Sequence, residues 1–133
     1  MTDQILLSDD VFLLGNIASL SVIMGHGAEA LPILDLLEKE RPMNAGSCIM
    51  RAMHLYSIGK TQEAIDYLGQ SNAFEAEVNK DEAIAIFIFL LSRNDQTEDA
   101  VLLARASLSG GSELSASARQ SIEQILSDCE AQS

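Results

Sequence analysis

Apolar residues recur along most of the chain at intervals of three and four, and short breaks containing glycine, proline or polar residues separate these periods. Such spacing places apolar side chains along one face of a helix. One period ends at Gly25-His26-Gly27, and the next ends at Pro42. The pattern predicts seven helices, at about residues 9–24, 28–40, 45–58, 62–71, 80–93, 97–109 and 113–129.

The longest apolar run, Ala83–Leu91, alternates enough to resemble a β-strand. The residues before it favour a helix, because 79–82 reads Asn-Lys-Asp-Glu, which has the form of a capping box. In such a box Asn79 would cap the helix and Glu82 would reach back to it. We therefore expect a helix here, and residues 70–79 form the longest connection without a repeat pattern.

The pattern also repeats with a period of 34 residues. A step of that length carries Ala18 to Ala52, Gly25 to Gly59, Ala30 to Ala64, and Leu34 to Leu68. A third unit needs a step of 36, which aligns Ala64 with Ala100 and places Arg93-Asn94-Asp95-Gln96 at the turn. Small residues let two antiparallel helices pack closely, and glycine permits the left-handed backbone that ends the first helix. Such a hairpin cannot bury its apolar face alone, so neighbouring units are expected to stack.

The second unit resembles the tetratricopeptide repeat (TPR). It reads Ala52-x-x-Leu55-Tyr56-x-x-Gly59-x-x-x-Glu63-Ala64-Ile65-x-x-Leu68, at the 34-residue period of that family. The chain departs from the family at Leu14 and Cys48, which take a tryptophan-like position, and at Ser21, which replaces an aromatic residue. The resemblance implies an all-α, TPR-like right-handed α-solenoid in a single domain, 1–133. Its three hairpins would span about 9–42, 45–76 and 80–109, with a C-terminal capping helix at about 113–129.

Composition and charge restrict the kinds of function that we expect of this protein. Eight Lys and Arg residues against twenty Asp and Glu give a net charge of -12, and no Lys or Arg precedes Lys39. Such a chain repels nucleic acids and anionic membrane surfaces. The chain begins with acidic residues instead of the positive charge of a secretory signal, and no apolar run reaches the roughly 18 residues of a membrane span. We expect a cytoplasmic protein with no membrane span, in which Cys48 and Cys129 stay reduced.

A stack of such hairpins would line a concave groove with the first helix of each unit. The partner-binding residues expected there are Phe12, Ser19, Val22, Ile23, Ile49, Met53, Tyr56, Ala85 and Phe89. These side chains are mostly apolar, which favours an amphipathic helix or an extended apolar segment of a protein partner. Gly15 and Ser19 stand where a carboxylate clamp would begin, so a clamp for an acidic C-terminus is not expected. Methionine and aromatic stripes at helical spacing also serve as ordinary packing between helices, and each residue has that alternative role.

No cluster of residue types points to catalysis, a cofactor or a metal. His26 and His54 have no cysteine or carboxylate at metal-ligand spacing, and Gly25-His26-Gly27 lacks the strand and the Lys-Ser/Thr ending of a phosphate loop. Cys48 has no base within helical reach, because His54 is six residues away. We expect a protein that is not an enzyme and that has no cofactor or metal.

Residues Leu14–Leu68 also resemble the small, acidic TPR-like proteins of type III secretion systems, including the chaperones that hold the needle subunit before export. The shared features are Glu29-Ala30 at the start of a second helix, Leu37 before Arg41-Pro42, and Glu63-Ala64-Ile65 after Gly59. The resemblance implies a cytoplasmic chaperone in protein transport and virulence. It would sequester an apolar helical segment of a secretion subunit, often together with a small helical co-chaperone.

The alternative is a structural adaptor that forms a homodimer or a hetero-oligomer through the same apolar faces. Phe87, Phe89 and Leu90 are the residues expected in such a joint.

Overall fold

Helices form nearly all the regular secondary structure of this protein. The computed structural model describes residues 24–110 and 114–132, and within these ranges the only β-type pairing is an isolated parallel bridge between Asn44 and Val78. The helices are α1 (Gly27–Glu40), α2 (Gly46–Ser57), α3 (Thr61–Gln70), a 3₁₀ helix (Asn72–Glu75), α4 (Lys80–Arg93), α5 (Thr97–Ser109) and α6 (Ala116–Ala131). The predicted all-α class is confirmed. Residues 9–23 of the first predicted helix lie outside the described residues.

Some predicted boundaries need correction. The 70–79 connection contains the 3₁₀ helix, and the last helix begins at Ala116 instead of residue 113. Ser115 precedes that helix and caps it, because its hydroxyl accepts a hydrogen bond from the Ala118 N–H at 3.1 Å. The apolar run Ala83–Leu91 lies within α4, so its strand-like alternation does not determine its structure.

The three turns that precede α1, α3 and α5 share one backbone feature. Gly25 and Gly59 both have φ of 82°, and Asp95 has φ of 60° at the equivalent position of the third unit. In the second and third units a backbone bond of the same type closes the turn, from the Lys60 N–H to the Leu55 carbonyl at 2.9 Å and from the Gln96 N–H to the Leu91 carbonyl at 3.0 Å. Aspartate is among the few residues that tolerate the left-handed region, so Asp95 replaces the turn glycine without changing the turn.

Two sets of apolar positions that the repeat steps relate are buried in every unit that the structure describes. Ala30, Ala64 and Ala100 form one such set, and Leu34, Leu68 and Ala104 form a second; all six are at most 1% exposed. Alanine at a helix contact lets two backbones approach, whereas the leucines fill the space beside it. The main core runs from α2 to α6, and Ala30, Leu34 and Leu37 of α1 form a smaller cluster.

Consecutive helices pack against each other, and in addition α2 packs against α4 and α4 against α6. The loops before α2 and α4 are also joined. The Ala45 N–H donates to the Val78 carbonyl at 2.9 Å, and the Val78 N–H donates to the Met43 carbonyl at 3.0 Å. These bonds fix the starts of α2 and α4 side by side.

The predicted capping box at the start of α4 is wrong. Asn79 has φ of 64°, in the left-handed region, and its side chain makes no capping bond to α4. Its amide instead donates to Asn44 Oδ1 at 2.9 Å, and the same oxygen accepts a bond from the Gly46 N–H. Asn79 therefore joins two loops instead of capping its own helix.

Candidate functional site

A cleft of about 820 Å³ lies between α4 and α6. We call it the α4–α6 cleft. Apolar residues Ala85, Ile86 and Phe89 of α4 face Ile125 and Cys129 of α6 across it. Ala131 also lines it, and seven polar residues complete the lining: Ser92, Arg93, Gln120, Ser121, Gln124, Asp128 and Gln132.

Helical spacing explains why these side chains meet. On α4 the cleft residues fall at intervals that return to one face, whereas Ile88 and Leu91 lie on the buried side. On α6 the cleft residues again recur every three or four positions, while Ala118 and Ile122 are buried. Each helix thus uses one side for the core and leaves an adjacent side to line the cleft.

Two neighbours hold Phe89 in place at the wall of the cleft. The Tyr56 ring of α2 meets it edge to face, with ring centroids 5.3 Å apart and planes at 78°. The guanidinium carbon of Arg93 lies 5.3 Å from the centroid of the same ring. Both geometries are attractive for aromatic rings, so Phe89 presents a fixed, half-buried apolar face.

The structure places the residues expected in the groove at several different locations. Ala85 and Phe89 line the α4–α6 cleft. Tyr56 does not line the cleft but packs against Phe89, which does. Ile49 packs against the main core, and Met53 is half-buried on α2. Phe12, Ser19, Val22 and Ile23 lie outside the described residues.

The α6 wall of the cleft was not predicted from the sequence. The last helix was expected to cap the stack, with its apolar stripe packed against the other helices. Ile125 belonged to that stripe, and the polar residues beside it at helical spacing, Ser121 and Gln124, were the available signal.

The apolar joint suggested for self-association needs correction at one residue. Leu90 is 0% exposed and belongs to the main core, so it cannot contribute to a surface. Phe87 packs edge to face on Phe74, with centroids 5.2 Å apart. Phe89 alone of the three reaches the α4–α6 cleft.

The described part of the chain offers little conventional site chemistry. It contains no group of three or more His, Cys, Asp and Glu side chains placed to hold a metal ion. Among its helices, none has both the length and the apolar character needed to cross a membrane. Charge in the cleft is limited to Arg93 and Asp128. Comparisons of the chain with protein family models, with curated proteins and with solved structures gave no match.

Proposed function

We propose that this chain is a non-catalytic protein-binding module of the chaperone type, with a TPR-like right-handed α-solenoid, that holds an apolar helical segment of a partner in the α4–α6 cleft. The observation that carries the proposal is the cleft itself. It is open, apolar and polar side chains both line it, and it lies between the first helix of the third unit and the C-terminal helix.

The repeat geometry supports the solenoid. In stacked helical hairpins, the first helix of each unit packs against the first helix of the next unit, and these helices together line the concave side. The contacts of α2 with α4 and of α4 with α6 follow this order. The equivalent turns at Gly25, Gly59 and Asp95 support the same arrangement.

The cleft chemistry favours an amphipathic helix as the occupant. A helix in a groove is recognised through apolar anchors spaced three, four and seven residues apart. Ile86, Phe89 and Ile125 would contact those anchors, and the amides of Gln120 and Gln124 would contact polar groups at the edge of the helix. The likeness to type III secretion chaperones suggests a secretion subunit, such as the needle subunit, as the partner.

A bulky charged side chain placed in the cleft tests this function. Ser121 is exposed and lines the cleft, so Ser121→Arg would fill it without altering the core. Ser127 is exposed on the same helix outside the cleft, and Ser127→Arg is the matched control. The tagged wild-type chain is used to recover its partner from cells of its native host, and the helical segment of that partner is then synthesised and titrated by calorimetry.

The wild type and Ser127→Arg should bind the segment with equal affinity, and Ser121→Arg should weaken binding at least tenfold. Light scattering should show the chain alone as a monomer whose mass rises when the partner is added. Equal binding by Ser121→Arg would place the partner elsewhere on the chain. A stable homodimer without partner, broken by Ser121→Arg, would instead assign the cleft to self-association.

A further inference from the structure

The two walls of the α4–α6 cleft carry charges of opposite sign. Arg93 lies on the α4 wall and Asp128 on the α6 wall, and the other polar residues of the lining are uncharged serines and glutamines. The α6 wall runs from Gln120 to Gln132, which is about 18 Å at about 1.5 Å per residue and matches about three turns of a bound helix. The two charges therefore face the two long edges of a helix bound between these walls.

The guanidinium of Arg93 lies at the cleft without a carboxylate partner among the described residues. Its carbon is 5.3 Å from the centroid of the Phe89 ring, which keeps the charge beside the apolar part of the lining. By contrast, Arg51 and Arg105 each lie within 4.0 Å of a carboxylate of the chain. Since a guanidinium pairs well with a carboxylate, Arg93 is available to a carboxylate of a bound partner.

Asp128 presents the opposite charge from the other wall. Its Oδ1 accepts a hydrogen bond from the side-chain amide of Gln124 at 2.9 Å, one turn earlier on α6. This neutral donor orients the carboxylate but leaves its negative charge uncompensated within the part of the chain that the structure describes. Asp128 therefore attracts a lysine or arginine of a bound segment and repels a carboxylate, which is favoured beside Arg93 instead.

We propose that the cleft selects both the charge pattern and the direction of its partner. The bound helix carries an acidic edge that pairs with Arg93 and a basic edge that pairs with Asp128, on either side of its apolar face. This inference rests on the proposed function, because it requires a helix in the α4–α6 cleft. A helix that keeps its apolar face in the cleft exchanges its edges between the walls when its direction is reversed. Each edge would then meet a charge of its own sign, so Arg93 and Asp128 together favour one direction.

The test uses three synthetic helical peptides that share one leucine face and carry no net charge. The first has glutamate along one edge and lysine along the other, the second has these edges exchanged, and the third has glutamine along both. Because the net charges are equal, the general field of the chain, whose net charge is -12, does not discriminate among the peptides. Each peptide is titrated into the full chain, and heteronuclear NMR follows the backbone amides of the cleft residues.

Both charged peptides should bind about four- to tenfold more tightly than the glutamine peptide, since each exposed charge pair contributes about two- to threefold. The two should also bind in opposite directions. A nitroxide at the peptide N-terminus should therefore broaden amide signals near Gln120 with one charged peptide and near Gln132 with the other.

Neutral variants of the two charged residues assign the preference to them. Arg93→Gln and Asp128→Asn should each reduce the preference for the charged peptides about two- to threefold, and the double variant should abolish it. The ratio of affinities is the readout, because loss of the contact between Arg93 and Phe89 affects all three peptides alike. Arg119→Gln and Glu123→Gln are the matched controls, since both residues are exposed on α6 outside the cleft, and the preference should not change.

Equal affinity of the three peptides, with shifts at the cleft residues, would overturn this inference and leave the proposed function intact. The same broadening with both charged peptides would also overturn it, because the walls would then not determine direction. A preference that persists in the double variant would place the charge recognition elsewhere on the chain. If no peptide shifted the cleft residues, this inference and the proposed function would fail together.

Discussion

A methyl group added at Gly27 has no room, because the buried ring of His54 lies directly against this residue. A Cβ at Gly27 would lie 2.7 Å from His54 Cγ and closer still to Nδ1. Gly27 is the first residue of α1, and His54 lies near the end of α2. We expect Gly27→Ala to destabilise the fold by forcing these two helices apart.

The expected loss of stability in Gly27→Ala is the difference between two opposing effects. Overpacking of a buried contact costs about 1–3 kcal/mol. Replacing glycine by alanine inside a helix stabilises the fold by at most about 1 kcal/mol, and by less at Gly27, which is the first residue of its helix. His54 is only 7% exposed, so its ring cannot swing freely into solvent to relieve the overlap. The net loss should be about 1–2 kcal/mol, or a decrease in Tm of roughly 3–10 °C.

Urea denaturation followed by circular dichroism measures this loss, and a double-mutant cycle assigns it to His54. In a His54→Ala background the added methyl meets only the Cβ of residue 54, at 3.0 Å, so Gly27→Ala should cost much less there. Gly69→Ala is the matched control. Its Cβ would lie 3.6 Å from Phe87 Cε1, an ordinary contact, so this substitution should stabilise the chain by up to about 1 kcal/mol.

Two results would refute the reasoning. If Gly27→Ala were as stable as the wild type, then α1 and α2 would not meet at Gly27 and His54. If instead Gly27→Ala were equally destabilising with and without the His54 ring, the cost would lie in the backbone of α1 and not in the contact between helices.

Two further predictions concern loop contacts. Asn79→Ala should lower the free energy of unfolding by about 1–3 kcal/mol in urea denaturation, because alanine disfavours φ of 64° and cannot donate to Asn44. Asn79→Gly permits the same backbone conformation, so it should lower the free energy of unfolding by less. The pKa of Asp81 is lowered, first by its hydrogen bond with the Ser115 side chain and then by that with the Ser115 backbone. A carboxyl whose pKa is lower in the folded state than in the unfolded state stabilises the fold at any pH above its unfolded pKa, which is 3.8 here. This contribution should therefore be complete at neutral pH and decrease as the pH falls below 3.8. Asp81→Asn should therefore be less stable at pH 7 and show a shallower loss of stability towards about pH 2.5, and equal acid profiles would contradict this origin.

The helices were predictable because their signal is local. The 3.6-residue period and the glycine turns predict the bounds of the described helices to within three residues, and those of α4 and α5 without error. The repeat step also predicted burial, since Ala30, Ala64 and Ala100 are all in the core. Periodicity could not predict which helical faces remain open, because that depends on which neighbours each helix acquires.

Polar contacts between loops were the part that local reasoning missed. Asn79 looked like a helix cap from the four residues around it, yet its partner is Asn44, 35 residues away. A pairing of this kind depends on the tertiary arrangement of the loops, which no window of sequence contains.

One such long-range contact bears directly on the α4–α6 cleft, although it lies outside the cleft. The Ser115 N–H donates to Asp81 Oδ2 at 2.8 Å, which joins the first turn of α4 to the residue that caps α6. Near the opposite end of α6, Arg105 of α5 lies 3.6 Å from Glu130. These contacts join both ends of α6 to its neighbours, and the cleft residues of α6 lie between Gln120 and Gln132. We therefore expect the position of α6, and with it the width of the cleft, to depend on the Asp81–Ser115 hydrogen bond as well as on the packing of Ala118 and Ile122 in the core.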